Sequence, residues 1–267
     1  MMSYAHLALL ALAGFAAGAV NALAGGGTLI SFPALLALGI APVSANITST
    51  VALCPGYLGA ALAQRRELRG QRARLWPLLA VASAGGLLGA VVLLHTGARA
   101  FDHAVPWLIL LACGLLALQE RVRAILAARA ARNAVAAIAA PAVTGPPTAA
   151  PYWSLPLIGA GAVYGGYFGA GMSVILLAAL GIAYDNSLGR LNALKQWLAL
   201  AANLTAAVWL AWRTPLDWPV VAVLAIGAAL GGAWGGRIAG RMSPLMLRRA
   251  VVLLGAAIAL VYLWREF

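Results

Sequence analysis

The sequence predicts an all-α, polytopic membrane protein: two inverted repeats of five segments, each with a helical hairpin broken at glycines. Three observations predict it. Hydrophobic residues make up 64% of the 267-residue chain and charged residues 9%, with a mean hydropathy of +0.93; a soluble domain carries about 25% charged residues. The apolar runs approach the ~20 residues of a membrane-spanning helix, and they lack the alternation of a transmembrane β-barrel. Two glycine-rich breaks, Ala24-Gly25-Gly26-Gly27 and Gly169-Ala170-Gly171, interrupt the two halves at matching places.

The first half holds apolar segments at about 4–24, 28–40, 44–63, 75–95 and 104–119. The second holds them at about 152–168, 172–183, 188–212, 218–236 and 245–264. This reads as about eight full spans and two short half-helices. The runs 28–40 and 172–183 reach only about 20 Å at 1.5 Å per residue. Each therefore pairs with the segment before it as a hairpin whose tip lies within the membrane protein, where a bare turn must be buried or line a cavity. The expected organisation is a first membrane repeat over 1–120, a cytoplasmic linker over 121–151 and a second membrane repeat over 152–267. The linker opens with basic residues, compatible with a helix continuing into water, and becomes rich in Pro, Thr and Ala from Pro141 to Pro151.

The halves match weakly but in order. Gly25 and Gly27 align with Gly169 and Gly171, and Leu38-Gly39-Ile40 with Leu180-Gly181-Ile182. Arg66 aligns with Arg213, Trp76-Pro77 with Trp218-Pro219, and Gly85 and Gly89 with Gly227 and Gly231. A shared order with small drifts in spacing indicates duplication.

The net charge of +12 does not point to nucleic acid, because the arginines sit in short loops between apolar spans. Thirteen of them (Arg65, Arg66, Arg69, Arg72, Arg74, Arg121, Arg123, Arg129, Arg132, Arg237, Arg241, Arg248 and Arg249) fall on one side; Arg99, Arg213 and Arg265 fall on the other. The positive-inside rule makes the first side cytoplasmic and both termini external. Arg66 is then inside and its partner Arg213 outside, which makes the repeats inverted. The N-terminus lacks a basic leader, so a cleaved signal peptide is not expected. Cys54 and Cys113 lie in apolar segments and read as small buried hydrophobes, without a disulfide.

The candidate binding residues start at the breaks. Short or interrupted apolar segments at equivalent places in two halves mark a transporter's solute site. Helices restarting at Thr28 and Met172 would present free N–H groups and positive dipole ends to an anion. Gly25, Gly26, Gly27 and Thr28 form one tip; Gly169, Gly171, Met172 and Ser173 form the other. Helix packing is the competing explanation, as it is for Gly14, Gly18, Gly161, Gly165, Gly227, Gly231 and Gly235. Lys195, the single lysine, lies in an apolar segment and could serve as substrate counter-ion or extend to the cytoplasmic surface. Asn46, Thr48, Asn192 and Gln196 supply neutral hydrogen-bonding groups nearby; bridging of helices is the alternative, above all for Asn203.

Glu67, Asp102, Glu120, Asp185, Asp217 and Glu266 all sit at segment ends or in loops, which disfavours a cation pathway. His6, His95 and His103 are too scattered for a metal site. No nucleotide-binding loop and no catalytic constellation is present, so neither an enzyme nor a cofactor is expected.

The run from Gly14 through Asn21, Gly25-Gly26-Gly27, Pro33 and Gly39, followed by Ser44-Ala-Asn-Ile-Thr-Ser-Thr50, resembles the TauE/SafE family of sulfite exporters and sulfonate-permease-like proteins. The resemblance covers essentially the whole chain and is most specific in the first 50 residues. It implies a multi-pass protein of the bacterial inner membrane, so that the external side on which the loop charges place both termini is the periplasm. Its substrate would be a small sulfur-containing anion: sulfite, a sulfonate or a sulfoacetate-like molecule. The second half departs from the first in having Met172 after its break and no counterpart of Pro33. The expected activity is secondary transport by alternating access, one repeat moving against the other in the lipid bilayer. A channel-like anion pore and a non-transporting membrane assembly protein are the alternatives. A homodimer is compatible with the sequence.

Overall fold

A computed structural model describes residues 4–23, 25–139, 151–184 and 186–238, with residues 249, 251–253, 255–257 and 259–260. Among these residues all regular structure is helical. The helices are α1 (Tyr4–Leu23), α2 (Thr28–Ala37), α3 (Pro42–Ala63), α4 (Arg72–Thr96) and α5 (Ala98–Ala139). They continue with α6 (Ser154–Tyr167), α7 (Met172–Ala183), α8 (Leu188–Arg213) and α9 (Trp218–Ile238). A 3-10 turn, Arg65–Leu68, joins α3 to α4. The expected segment 245–264 lies largely outside the described residues; its described stretches 251–253, 255–257 and 259–260 are helical.

Four described helices, α1, α4, α5 and α9, are long and apolar enough to cross a membrane. The other expected spans fall short for physical reasons. Helices α3 and α8 have 22 and 26 residues, but they bury Asn46, Thr48, Ser49 and Thr50, and Lys195, Gln196 and Asn203. Helix α6 has only 14 residues, or about 21 Å of rise.

Two boundaries differ from the expected ones. Helix α2 stops at Ala37, and Gly39 (φ 79°) follows it. The N–H of Ile40 donates to the Leu35 carbonyl (3.2 Å) and that of Gly39 to Leu36 (2.9 Å), a Schellman closure that needs a left-handed residue. The aligned Gly181 stays inside α7, with the Leu126 side chain against it. Helix α5 runs for 42 residues, through the basic first part of the linker. Residues 121–139 are rich in Ala and Arg and free of Gly and Pro, so nothing within them stops the helix.

The helices of the two halves interlock. Helix α9 packs on α1 and α3, while α4 packs on α6 and α8. Gly227 and Gly231 of α9 lie on the α1 backbone at Ala11 and Phe15; Gly14 and Gly18 of α1 lie on Leu224 and Ala228. In the other seam Gly85 and Gly89 of α4 lie on α6 at Gly159 and Val163. A Cβ at most of these positions would meet backbone atoms. Lipid gives apolar helices no hydrophobic reason to associate, so such close approach is what holds them.

One end of the molecule gathers the basic segments. Arg190 Nη2 donates to the Arg69 carbonyl (3.1 Å), and the Arg74 guanidinium lies 5.1 Å over the Tyr184 ring. Arg129 Nη1, from the extension of α5, donates to the Gly181 carbonyl (3.3 Å). A cation near a helix C-terminus complements its dipole.

The seams give a prediction. Gly231→Val forces a side chain into the backbone at Phe15 and should cost about 1–3 kcal/mol, the usual range for overpacking. Gly59, in α3, has nothing within 4 Å of its would-be Cβ, so Gly59→Ala should leave stability unchanged or raise it by up to about 1 kcal/mol. Thermal unfolding in detergent micelles measures both; equal midpoints would remove the seam from the stability of the fold.

Candidate functional site

The chain reaches the centre twice and turns there on glycine. Gly25 (φ 77°), Gly169 (φ 82°) and Gly171 (φ 81°) occupy the left-handed region, whereas Gly27 is right-handed at φ −57°. Only glycine visits the left-handed region without penalty. The two tips therefore share one turn residue and differ at the second.

The tips meet. A Cβ on Gly25 would run into the Cβ and Oγ of Ser173, the second residue of α7. A Cβ on Gly169 would lie 3.6 Å from the Oγ1 of Thr28, the first residue of α2. Each break thus faces the hydroxyl residue that opens the other half's short helix. Helix α5 runs past both: Leu116 faces Gly26, while Ala112 and Leu115 face Gly171. Gly25, Gly26, Gly27, Thr28, Gly169, Gly171, Met172 and Ser173 are all buried.

Neither short helix is capped by a side chain. The first carbonyls are used locally: Gly27 O accepts from Ile30 N (2.9 Å), and Gly171 O from Val174 N (2.9 Å). By contrast, α8 opens with Ser187, whose hydroxyl accepts from Arg190 N. The helix starting at the basic end is capped in the ordinary way; the two starting in the interior have no side-chain cap, and carbonyls of the breaks accept from Leu29, Ile30, Ser31, Met172 and Val174 N–H instead.

Neighbouring polar groups tie the tips to α3. Asn46 Nδ2 donates to the Tyr167 carbonyl (2.8 Å), just before the second break. The Ser31 and Ser49 hydroxyls are hydrogen-bonded to each other, joining α2 to α3. The Tyr164 hydroxyl donates to the Ala170 carbonyl (2.7 Å) inside the second break. Thr48 is buried. Asn46 Oδ1 and Ser173 Oγ are buried without hydrogen-bond partners.

Helices α3 and α8 run antiparallel, with Asn192 Nδ2 donating to Gln64 Oε1 (2.7 Å) near one end and Asn203 Nδ2 to the Thr50 carbonyl (3.0 Å) further along. Lys195 lies between these levels. It is 2% exposed, so its ammonium does not reach the surface. Gln196 beside it is buried, with neither amide atom partnered. Among the described residues no hydrogen bond links Lys195 or Gln196 to either break. Asn192 is a helix-bridging residue at the basic end, outside the central group.

Sequence reasoning overlooked Asn21, Ser31 and Tyr164. Asn21 is buried in α1, its carbonyl accepting from Gly25 N (3.1 Å) and its amide beside the Tyr57 hydroxyl without a well-formed bond. The available signal was spacing: Asn21 and Ser31 stand four residues before Gly25 and four after Gly27, on the turns flanking the break. Tyr164 had no such signal, because only the fold brings its hydroxyl back to Ala170.

The helices define a multi-pass membrane protein with two abutting glycine tips at its centre. Residues 10–262 match the family Sulfite exporter TauE/SafE, and the chain belongs to that family, one of membrane transporters and not of enzymes. A "Probable membrane transporter protein" of Haemophilus influenzae is 35% identical over 104 residues, 39% of this chain and 41% of that protein. The match thus spans about two fifths of the length of that curated relative. No solved structure matches.

Contact between the tips is testable by a double-mutant cycle. Gly25→Ala should destabilise through its left-handed φ, about 1–2 kcal/mol, and through collision with Ser173. Ser173→Gly removes the collision alone. The double variant should recover at least about 0.5 kcal/mol relative to additivity; strictly additive losses in thermal unfolding would mean that the tips do not touch.

Proposed function

We propose that the protein is a secondary transporter that moves a small sulfur-containing anion, with sulfite or a sulfonate as the preferred class, by alternating access around the two tips. The observation that carries the reading is the reciprocal abutment of Gly25 with Ser173 and Gly169 with Thr28. It brings two side-chain-uncapped helix starts together in a buried setting. Helix N-termini attract anions without a formal charge, and such a site binds without trapping.

The unpartnered Ser173 Oγ, which can donate, supports an anionic solute at the tips, and the unpartnered Gln196 amide offers a further donor beside Lys195. A buried polar group left unsatisfied costs about 1–3 kcal/mol, and a bound solute with matching groups relieves that cost. Lys195 adds a buried cation on the approach from the basic end. Sulfite presents three oxygen acceptors to such donors, each charge-assisted contact contributing about 1.5–3 kcal/mol.

We further propose that the chain comprises two inverted repeats, 1–120 and 152–267, joined by a cytoplasmic linker over 121–151. In this reading α1, α4 and α5 are full spans, as is α9, with α3, α6, α8 and the segment at 245–264 completing the set. Helices α2 and α7 are the half-helices. Exchanging α1, α2, α3 and α4 with α6, α7, α8 and α9 maps the packing partners onto one another: α1 on α9 becomes α6 on α4, and α3 on α9 becomes α8 on α4. The basic end is cytoplasmic and the termini are periplasmic, in the inner membrane of a bacterium. Because the seams join helices of opposite halves, the bodies that move mix the two repeats.

The test is sulfite counterflow in proteoliposomes. Wild-type protein should show saturable counterflow, competed by small sulfonates and not by amino acids or sugars. Lys195→Ala should weaken apparent sulfite affinity roughly tenfold or more, the equivalent of one charge-assisted contact. Unsaturable flux without counterflow would indicate a pore; unchanged flux in the folded variant would remove Lys195 from the pathway.

A further inference from the structure

A groove of about 430 Å³ runs between α4 and α8, and most of its lining is exposed on the outside of the helix bundle. Leu87, Leu204, Thr205, Val208, Trp209 and Trp212 line it. Its volume is within the range of ligand-binding clefts, about 300–1,000 Å³. Val208 is 63% exposed and Trp212 74% exposed, so this face belongs to the surface a membrane protein turns toward lipid. The one hydroxyl in the lining does not make the groove polar. Thr205 Oγ1 lies 2.9 Å from the Ala201 carbonyl, 3.1 Å from that of Ala202 and 3.0 Å from that of Ser83.

The groove is apolar along its length and cationic at its mouth. Trp209 and Trp212 pack edge to face, with centroids 5.6 Å apart. The Arg213 guanidinium lies over both rings, 5.3 Å from Trp209 and 5.7 Å from Trp212. Stacking fixes the plane of a guanidinium while leaving its N–H donors for a phosphate. Among the described residues Arg213 has no carboxylate partner. It closes α8 at the end opposite Arg190 and the basic loops, and tryptophans mark the interfacial level of a bilayer. From Leu204 to Trp212 the groove follows nine residues of helix, a rise of about 12 Å. That is less than half of a hydrocarbon core about 30 Å thick, so the groove belongs to one leaflet.

We propose that this groove is a phospholipid site, holding an acyl chain along Leu204–Trp212 with the lipid phosphate on Arg213. Charge complementarity selects the occupant. An apolar helix of a second copy would cover the groove but offer nothing to Arg213, whereas a phospholipid satisfies the apolar walls and the cation together. None of the lining residues belongs to the proposed solute pathway, and the site does not depend on what the protein transports.

Native mass spectrometry of the purified protein, titrated with dioleoyl phosphatidylglycerol, tests the assignment. The wild-type protein should retain one lipid above the non-specific background. Arg213→Gln should weaken retention about fivefold, the contribution of one surface cation to an anionic lipid. Val208→Trp should abolish retention by filling the groove. Arg99→Gln removes a cation at the same end of the molecule, at the start of α5 and outside the groove, and should change nothing. Retention at the wild-type level in Arg213→Gln, or equal losses in Arg99→Gln and Arg213→Gln, would overturn the proposal. So would a shift from dimer to monomer by light scattering in either groove variant, which would make the groove a seat for a second copy. If Val208→Trp fails to fold, the exposed Arg213 substitution decides alone.

Discussion

Everything at the centre follows from one constraint: backbone polar groups inside a membrane must find partners within the protein. A helix that stops and restarts at depth opens several N–H and C=O groups at once. Here two such openings are placed against each other, with α5 along their side. Local bonds from the first carbonyls of α2 and α7 handle part of the demand, and Asn46 and Tyr164 reach in for carbonyls of and next to the second break. The residue types follow: glycine where the chain needs left-handed φ and close approach, hydroxyls and amides where donors are needed, and apolar side chains elsewhere.

The two tips are alike without being identical. Both turn on a left-handed glycine, but only the second uses a left-handed residue immediately before its short helix. The first short helix contains Pro33 and ends in a Schellman closure at Gly39, whereas the second runs on through Gly181 under Leu126 and Arg129. The proposed pathway has the same asymmetry. On the α3 side the polar groups are small and bond mainly to helix carbonyls or to Ser31, and on the α8 side stand a buried lysine and an unpartnered amide.

Much of this was legible in the sequence, and the reason is length and composition. Apolar runs fix where helices lie, and the observed α1, α4, α7, α8 and α9 agree with the expected segments within about three residues, the usual uncertainty of helix ends. The matched glycines Gly85, Gly89, Gly227 and Gly231 were visible as a repeat, but not their partners, since only the fold shows that each pair lies on the first helix of the other half. The end of α2 falls three residues before the expected one, because Gly39 closes the helix although it sits within an apolar run. Lys195 was ambiguous for a sound reason: its distance from the segment start allows either a surface or an interior ammonium, and only the packing of α8 against its neighbours settles which.

The interlocked seams also bear on how the chain is made. Synthesis adds about 5–20 residues per second, so on the order of ten seconds separate the release of α4 from the release of α6 and α9. During that interval the glycine faces of α1 and α4 stand in the bilayer without the helices that later cover them. The first half therefore enters the membrane as an unfinished surface, held open for the second, and is exposed for those seconds to the insertion and quality-control machinery of the cell.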